Sequence, residues 1–427
     1  PYHAAIFQAT SVFDANDVYQ ASGRDFVVNA ETASQHVGAA AGCLHKQAAQ
    51  VLAGQGIVTH LFPSLATTPQ TAFATIQLGA VAGVMVTASH NPPEYNGYKV
   101  YWANGAQIIP PQDEQIVAAI EQTPPANEIP TLSLEDARER GLLRPVDNVI
   151  TERYLRTIEQ LSRHSQPRSD LRIVYTPMHG VGLATAMEAL KRAGFDQVVP
   201  VASQAAPNGE FPTVHFPNPE EPGAMDLAFA TAKETGADLI LANDPDADRL
   251  AVAVPNRDGD GFLQLSGNQV GVLLAHYYLA YDPSPPKDRL FVTTIVSSPM
   301  LGAMARQEGA RYEETLTGFK WIARVPNLMF GYEEALGYAV NDVVRDMAKL
   351  LQVSISKRVK LVLDFAGDLP PVEADAAQLR QVVMNLITNA SEAMGEREGA
   401  VTLRTACEPV DAAWLATAYG GAGLAPG

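Results

Sequence analysis

Cysteine is almost absent: Cys43 and Cys407 are the only two in 427 residues. They are too few and too far apart for a disulfide framework, so a reducing compartment, the cytoplasm, is expected. Basic residues are also scarce, with 30 Lys and Arg against 47 Asp and Glu and a formal net charge of -17. Such a balance argues against sequence-independent binding to nucleic acid or to anionic membranes. It leaves room for a small phosphorylated ligand, because one pocket can be positive on an acidic protein. Long apolar runs are missing too, and no stretch would span a bilayer. The opening PYHAAIFQAT lacks the basic-then-apolar order of a signal peptide, and Pro1 in place of Met suggests a fragment or processed chain. What remains is 47% apolar and 18% charged, the profile of a soluble globular protein long enough for three or four domains.

Strand and helix signals alternate through the first three quarters of the chain. AGVMVTAS reads as a buried strand, QDEQIVAAIEQ as a helix and TPPANEIPTLS as a linker. A new unit is expected to open near the amphipathic VITERYLRTIEQL. Strand LRIVYTP, turn MHGVG, helix LATAMEALKRAG and strand QVVPV follow it. That order predicts a mainly parallel sheet with helices on its faces. A third unit runs through NQVGVLLAHYYLA, RLFVTTIV and PMLGAMARQEG, and no internal repeat is visible as a sequence pattern. The texture changes after about residue 345, where EADAAQLRQVVMNLITNASEAMGE has the strongest helical spacing in the protein.

Between ADLILAN and RLAVAVP lie Asp244, Asp246 and Asp248, at alternate positions, with Arg249 directly behind. Three like charges so close need a cation among them. Hard oxygen ligands suit Mg²⁺, which often takes a phosphate oxygen as well. A Ca²⁺ EF-hand fails, because Arg249 stands where that loop needs Gly and Pro255 where it needs Glu. An aspartate-rich surface turn is the remaining alternative. A second stretch, VTASHNPPEYNGYKVYW, places Ser89 after a buried strand, beside His90 and a proline pair. Such a serine can be a nucleophile or phosphoryl carrier if a base and a cation are near, or simply a turn serine capping a helix. His90 alone could equally be a packed histidine.

TASHNPPEYNGYK and NDPDADR together resemble the α-D-phosphohexomutase family, the phosphoglucomutases and phosphomannomutases. YTPMHGVG, TGFKWI and GYEEALGY extend the likeness over about residues 24–342, closest to the phosphoglucomutase and phosphopentomutase branch. The resemblance implies an α/β fold of three successive domains with mixed sheets, at 1–148, 149–256 and 257–342, the third of them partial. It implies a mutase, an intramolecular phosphotransferase that moves a phosphoryl group between C1 and C6 (or C5) of a sugar phosphate through a bisphosphate intermediate. A glucose 1,6-bisphosphate-type activator goes with it. Ser89 would be the phosphoserine. Asp244, Asp246 and Asp248 would hold Mg²⁺ together with the Ser89 phosphate. His90 and Lys99 would flank the transferred group, with Lys99 as general acid/base. Arg249 would orient the metal loop or bind phosphate. Glu333 and Glu334 would accept hydrogen bonds from sugar hydroxyls, and Thr317, Gly318 and Lys320 would form a neighbouring substrate loop.

Two family parts are missing from the sequence: the N-terminal Gly-Thr-x-Gly-x-Arg segment and the fourth-domain phosphate clamp Arg-x-Ser-Gly-Thr-Glu-Pro. Loss of the clamp predicts impaired substrate binding. From about 343 to 427 the chain instead resembles the start of a sensor histidine-kinase ATPase domain, an incomplete α/β-sandwich fragment. There Asn385 and Asn389 would be vestigial nucleotide ligands, since the Asp-x-Gly-x-Gly loop never arrives. A nucleotide-binding signalling module and a catalytically dead fusion remnant are therefore the alternatives to a mutase.

Overall fold

The computed structural model describes residues 25–30, 44–163 and 170–340, together with two later strands. The first sheet begins with β1 (Phe26–Ala30), α1 (Leu44–Gly54), β2 (Thr59–Leu61), α2 (Thr68–Gln77), β3 (Ala82–Val86) and β4 (Tyr98–Trp102). α3 (Gln112–Ile120), α4 (Leu134–Glu139), β5 (Leu143–Pro145) and α5 (Asn148–Gln160) complete it. The strand order is β4-β3-β1-β2-β5. Phe26, Val27 and Val28 of β1 and the whole of β3 are apolar and buried, as expected where helices cover both faces of the parallel strands. α2 starts where it does because Thr67 and Gln70 form a reciprocal capping box.

The second sheet contains β6 (Arg172–Thr176), α6 (Leu183–Arg192), β7 (Gln197–Pro200), α7 (Asp226–Thr235) and β8 (Leu239–Asn243). β9 (Leu250–Pro255) and β10 (Phe262–Gln264) follow, in the order β10-β9-β8-β6-β7. The third contains α8 (Gly267–Tyr281), β11 (Leu290–Thr294), α9 (Met300–Gln307), β12 (Arg311–Thr315) and α10 (Phe319–Ile322). β13 (Leu328–Glu333) and β14 (Gly337–Val340) close it, in the order β12-β11-β13-β14. The expected three α/β domains with mixed sheets are therefore present.

The repeat invisible in the sequence is plain in the topology. In each sheet the first strand pairs in parallel with the second and third, and the fourth turns back antiparallel on the third. Each domain thus has one hairpin in which an inner parallel strand runs out at its C-terminal end and returns. Such ends are where α/β sheets place ligands.

Two segments near the expected boundary between the first and second domains make contacts with the first domain. The stretch TPPANEIPTLS, expected as a linker, is mostly exposed but anchored at two points: Ile129 is buried and Leu132 N–H donates to Gln50 O at 3.0 Å. The chain then rejoins the first sheet as β5, pairing in parallel with β2. Helix α5, expected to open the second unit, buries Ile150 and packs Tyr154 in the first domain's core with Val27 and Phe73. Its Glu152 also pairs with Arg192 of α6 at 2.7 Å, so the helix bridges two domains.

A separate unit comprises residues 342–427. Its described parts are β15 (Val359–Phe365) and β16 (Gly399–Thr405), paired in parallel from Val359↔Gly399 to Phe365↔Thr405. The helix expected in EADAAQLRQVVMNLITNASEAMGE, with Asn385 and Asn389, lies outside the described residues.

Candidate active site

The three hairpins carry Ser89, His90, Lys99, the three aspartates, Arg249, Glu333 and Glu334, whereas Thr317 and Gly318 lie between β12 and α10 and Lys320 in α10. In the first, β3 ends at Val86, and Thr87 N–H donates to Gly97 O at 3.0 Å, holding the two limbs of the loop together. Ser89 sits inside it at φ 55, a left-handed conformation that a serine keeps only when its surroundings enforce it. The enforcing contact is local: Ser89 N–H donates to Thr87 Oγ1 at 2.7 Å. The return strand places Lys99 opposite Met85. Lys99 Nζ donates to Ser89 Oγ at 3.2 Å, and His90 Nδ1 lies 3.2 Å from the same oxygen.

The second hairpin joins β8 to β9. Asp244 Oδ1 accepts the Arg249 N–H at 3.0 Å across the turn, and the Asn243 side chain donates to Arg249 O. Ala247, between the last two aspartates, is also left-handed at φ 57. Gly180 of the MHGVG turn is there because a Cβ would lie 2.3 Å from Pro245 Cα; Val181 N–H reaches Pro245 O at 2.9 Å. The N-terminus of α2 supplies the other wall. Thr68 N–H donates to Asp246 O at 2.9 Å, and Thr68 Oγ1 to Asp246 Oδ2 at 2.8 Å. Thr87 Oγ1 reaches the same oxygen at 3.2 Å.

Lys99 ties the two hairpins together, at 2.7 Å from Asp246 Oδ2 and 2.5 Å from Asp248 Oδ2. Asp244 and Asp246 are fully buried, yet Asp244 Oδ2 and Asp246 Oδ1 have no hydrogen-bond partner. Orphaned buried carboxylate oxygens are costly. One oxygen from each of the three aspartates lies within 4.8 Å of the others, so the trio fits a divalent cation with hard-oxygen preference.

The electrostatics agree with that strain. Burial, and then Asp246 and Asp248, push the Asp244 carboxyl well above the usual range. Burial alone would raise Asp246 as well, but the Lys99 charge and its hydrogen bonds pull it below. Lys99 is itself buried, which would lower it, but Asp246 and Asp248 hold it well above its ordinary value. His90 is pushed down to about 4 by burial and then by Arg249, and is a neutral imidazole at pH 7.

The third hairpin joins β13 to β14. Glu333 accepts the Gly318 N–H, and burial raises its carboxyl while Arg249 opposes the rise. Glu334 Oε2 is held by Ser297 Oγ at 2.9 Å and Thr294 Oγ1 at 3.1 Å. Gly267 at the start of α8 permits this, since a Cβ there would lie 1.9 Å from Glu334 O. Leu250 N–H donates to Leu336 O at 3.0 Å, joining the second hairpin to the third. Arg249 lies at the same junction, with Nη1 3.6 Å from Glu220 Oε2.

Ser89, His90, Lys99, Asp244, Asp246 and Asp248 are thus brought together. Arg249, Glu333 and Gly318 form an adjoining group, Thr317 is exposed, and Lys320 is half-buried without an ion pair among the described residues. Sequence reasoning missed Thr68, Thr87, Glu220, Thr294 and Ser297. The Thr-Thr-Pro-Gln run signals a helix start, but nothing in it points to Asp246, 178 positions away.

Three family models match: Phosphoglucomutase/phosphomannomutase alpha/beta/alpha domain I over residues 40–126, domain II over 152–259 and domain III over 266–353. A Haemophilus influenzae protein named "Probable phosphomannomutase" is 42% identical over 335 residues, covering 76% of this chain and 67% of that protein. The chain belongs to the phosphoglucomutase/phosphomannomutase family. A human phosphopentomutase is 41% identical over 319 residues, 70% of this chain and 51% of that one. A Staphylococcus aureus phosphoglucomutase is 35% identical over 331 residues, 75% of this chain and 57% of that one. The chain therefore spans from about half to two thirds of the length of these relatives. A solved phosphoglucomutase/phosphomannomutase family protein from Burkholderia thailandensis shares the fold, with TM-score 0.60 and 22% identity over 80% of this chain and 68% of that one. The domain III match runs to residue 353, past residue 342 where the third domain is expected to end. Residues 354–427, which carry most of the histidine-kinase resemblance, lie beyond these matches.

Proposed function

We propose that this chain carries the phosphoryl-transfer half of a phosphosugar mutase, with Ser89 as the phosphoryl carrier. The supporting observation is the cluster in which Lys99 Nζ lies 3.2 Å from Ser89 Oγ and 2.7 Å from Asp246. Phosphoryl transfer needs in-line positioning and charge neutralisation more than covalent chemistry. Mg²⁺ at Asp244, Asp246 and Asp248 would supply neutralisation for the oxygens of the transferred group.

The chain's own residues divide the remaining work. Ser89, fixed by its left-handed backbone, presents Oγ to the sugar phosphate. Lys99, held charged by its aspartates, steadies the transferred group and is better suited to donating a proton than accepting one. His90 Nδ1, neutral and 3.2 Å from Ser89 Oγ, is the better-suited proton acceptor. Glu333 and Glu334 provide carboxylates for sugar hydroxyls, flanked by Thr317, Gly318 and Lys320. The substrate is a hexose or pentose phosphate, with phosphate moving between C1 and C6 (or C5) through a bisphosphate.

Incubation with glucose 1,6-bisphosphate and Mg²⁺, followed by intact-mass and peptide analysis, tests this reading. One phosphate on Ser89, lost in Ser89→Ala, is expected. A phosphate elsewhere, or none with Mg²⁺ bound, would sink the assignment. A coupled glucose 6-phosphate assay then measures whether the full cycle runs.

A further inference from the structure

We infer that Lys99 is a built-in counter-cation of the aspartate trio, which a divalent cation must displace toward Ser89 in order to bind. The inference rests on the metal part of the proposed function. A Lys ammonium has three N–H donors, and here all three are used: on Asp246 Oδ2 at 2.7 Å, Asp248 Oδ2 at 2.5 Å and Ser89 Oγ at 3.2 Å. The side chain is 18% exposed and the Asp246 carboxylate 0%. This ammonium is therefore a component of a buried cluster rather than a solvated surface charge.

One lysine cannot satisfy three aspartates. Asp244 Oδ2 and Asp246 Oδ1 are left buried without a donor. Arg249 does not make up the deficit, because its guanidinium lies toward Glu220 and only its backbone N–H serves Asp244. The trio thus attracts a second, stronger cation while a first one sits on two of its members. Two cations on the same carboxylates repel strongly where water is excluded, so loading the trio requires Lys99 to let go. Its third partner shows where it goes. Ser89 Oγ is already within hydrogen-bond reach, and the lysine stem is flexible enough to pivot on that contact.

Cation affinity is then set partly by how well Lys99 is received at Ser89. A phosphate on Ser89 would draw the ammonium and free the carboxylates, so phosphorylation and cation binding favour each other reciprocally. This assigns Lys99 a task separate from proton transfer: it links the charge on Ser89 to occupancy of the aspartates.

The test is Mn²⁺ binding to the full chain, read as loss of the free-ion electron paramagnetic resonance signal. Lys99→Met should bind Mn²⁺ about tenfold more tightly than wild type, within the range usual for coupled sites, while Lys99→Arg should gain nothing. Equal or weaker binding by Lys99→Met overturns the inference and leaves the metal assignment standing. Absence of Mn²⁺ binding in both wild type and Lys99→Met overturns the two together. Should Lys99→Met fail to fold, the wild-type chain still decides. Acetic anhydride labelling followed by mass spectrometry should show Lys99, but not Lys191 or Lys233, becoming more reactive at saturating Mn²⁺. Unchanged Lys99 labelling at saturation refutes displacement.

Discussion

The Asp244–Asp248 hairpin and the Glu333–Glu334 hairpin occupy the same place in two copies of one sheet topology, and their carboxylates are treated in opposite ways. In the first, Asp244 and Asp246 are fully buried, each with one oxygen that no donor reaches. In the second, the carboxylates are half-buried and provided for: Glu333 takes the Gly318 N–H, and Glu334 takes Thr294 and Ser297. Acid side chains alone therefore do not define a metal site. Uncompensated burial suits a small ion of high charge density, whereas a carboxylate with one side anchored and the other open suits hydroxyl groups.

That contrast can be broken most directly at the centre of the trio. Asp246→Ala should weaken Mn²⁺ binding about a hundredfold or more, beyond the 10–100-fold typical of outer-shell partners. Glu333→Ala should leave Mn²⁺ binding within about twofold of wild type, as expected when a residue lies outside the coordinating set. A comparable loss in both would merge the two hairpins into one site. Next comes the hydroxyl that orients Asp246: Thr68→Val should cost about tenfold in Mn²⁺ affinity, an outer-shell effect measurable by the same titration.

The Glu334 anchor should respond in stability rather than in metal binding. Thr294→Val removes one donor and should lower unfolding free energy by about 1 kcal/mol in urea, with recovery in Thr294→Ser and no shift in Mn²⁺ affinity. A pH-dependent effect concerns His90, which falls from an ordinary 6.5 to about 4 on folding through burial and then Arg249. A group depressed in this way leaves stability intact above its unfolded pKa and erodes it as pH drops toward the folded one. Melts in EDTA should therefore decline from about pH 6.5 toward 4, and His90→Gln should flatten part of that decline. A His90 ring signal titrating near 6.5 by NMR would contradict the burial that the first hairpin requires.

Much of the fold was legible because the inner strands of parallel sheets are continuous apolar runs. AGVMV, the LILAN of ADLILAN and the LFVTT of RLFVTT all form strands. The short edge strand Leu143–Pro145 was not, since three residues with two exposed side chains carry no periodic signal. The bridging role of α5 was hidden for a related reason. Its apolar stripe says that one face is buried, but not which domain buries it. The shared four-strand topology is likewise absent from the sequence as a pattern, because hydrogen-bond order constrains residue type only weakly.

The sequence by itself determined the residue types, the strands that carry them and the family likeness. Local chemistry suffices there: apolar periodicity, capping boxes and short motifs act within a few positions. Only the tertiary structure decided which aspartate oxygens lack partners, and that Lys99 stands between Ser89 and the trio. Those facts depend on contacts between residues 147 and 178 positions apart. Burial and charge pairing are sums over everything that packs nearby, and no local window contains them.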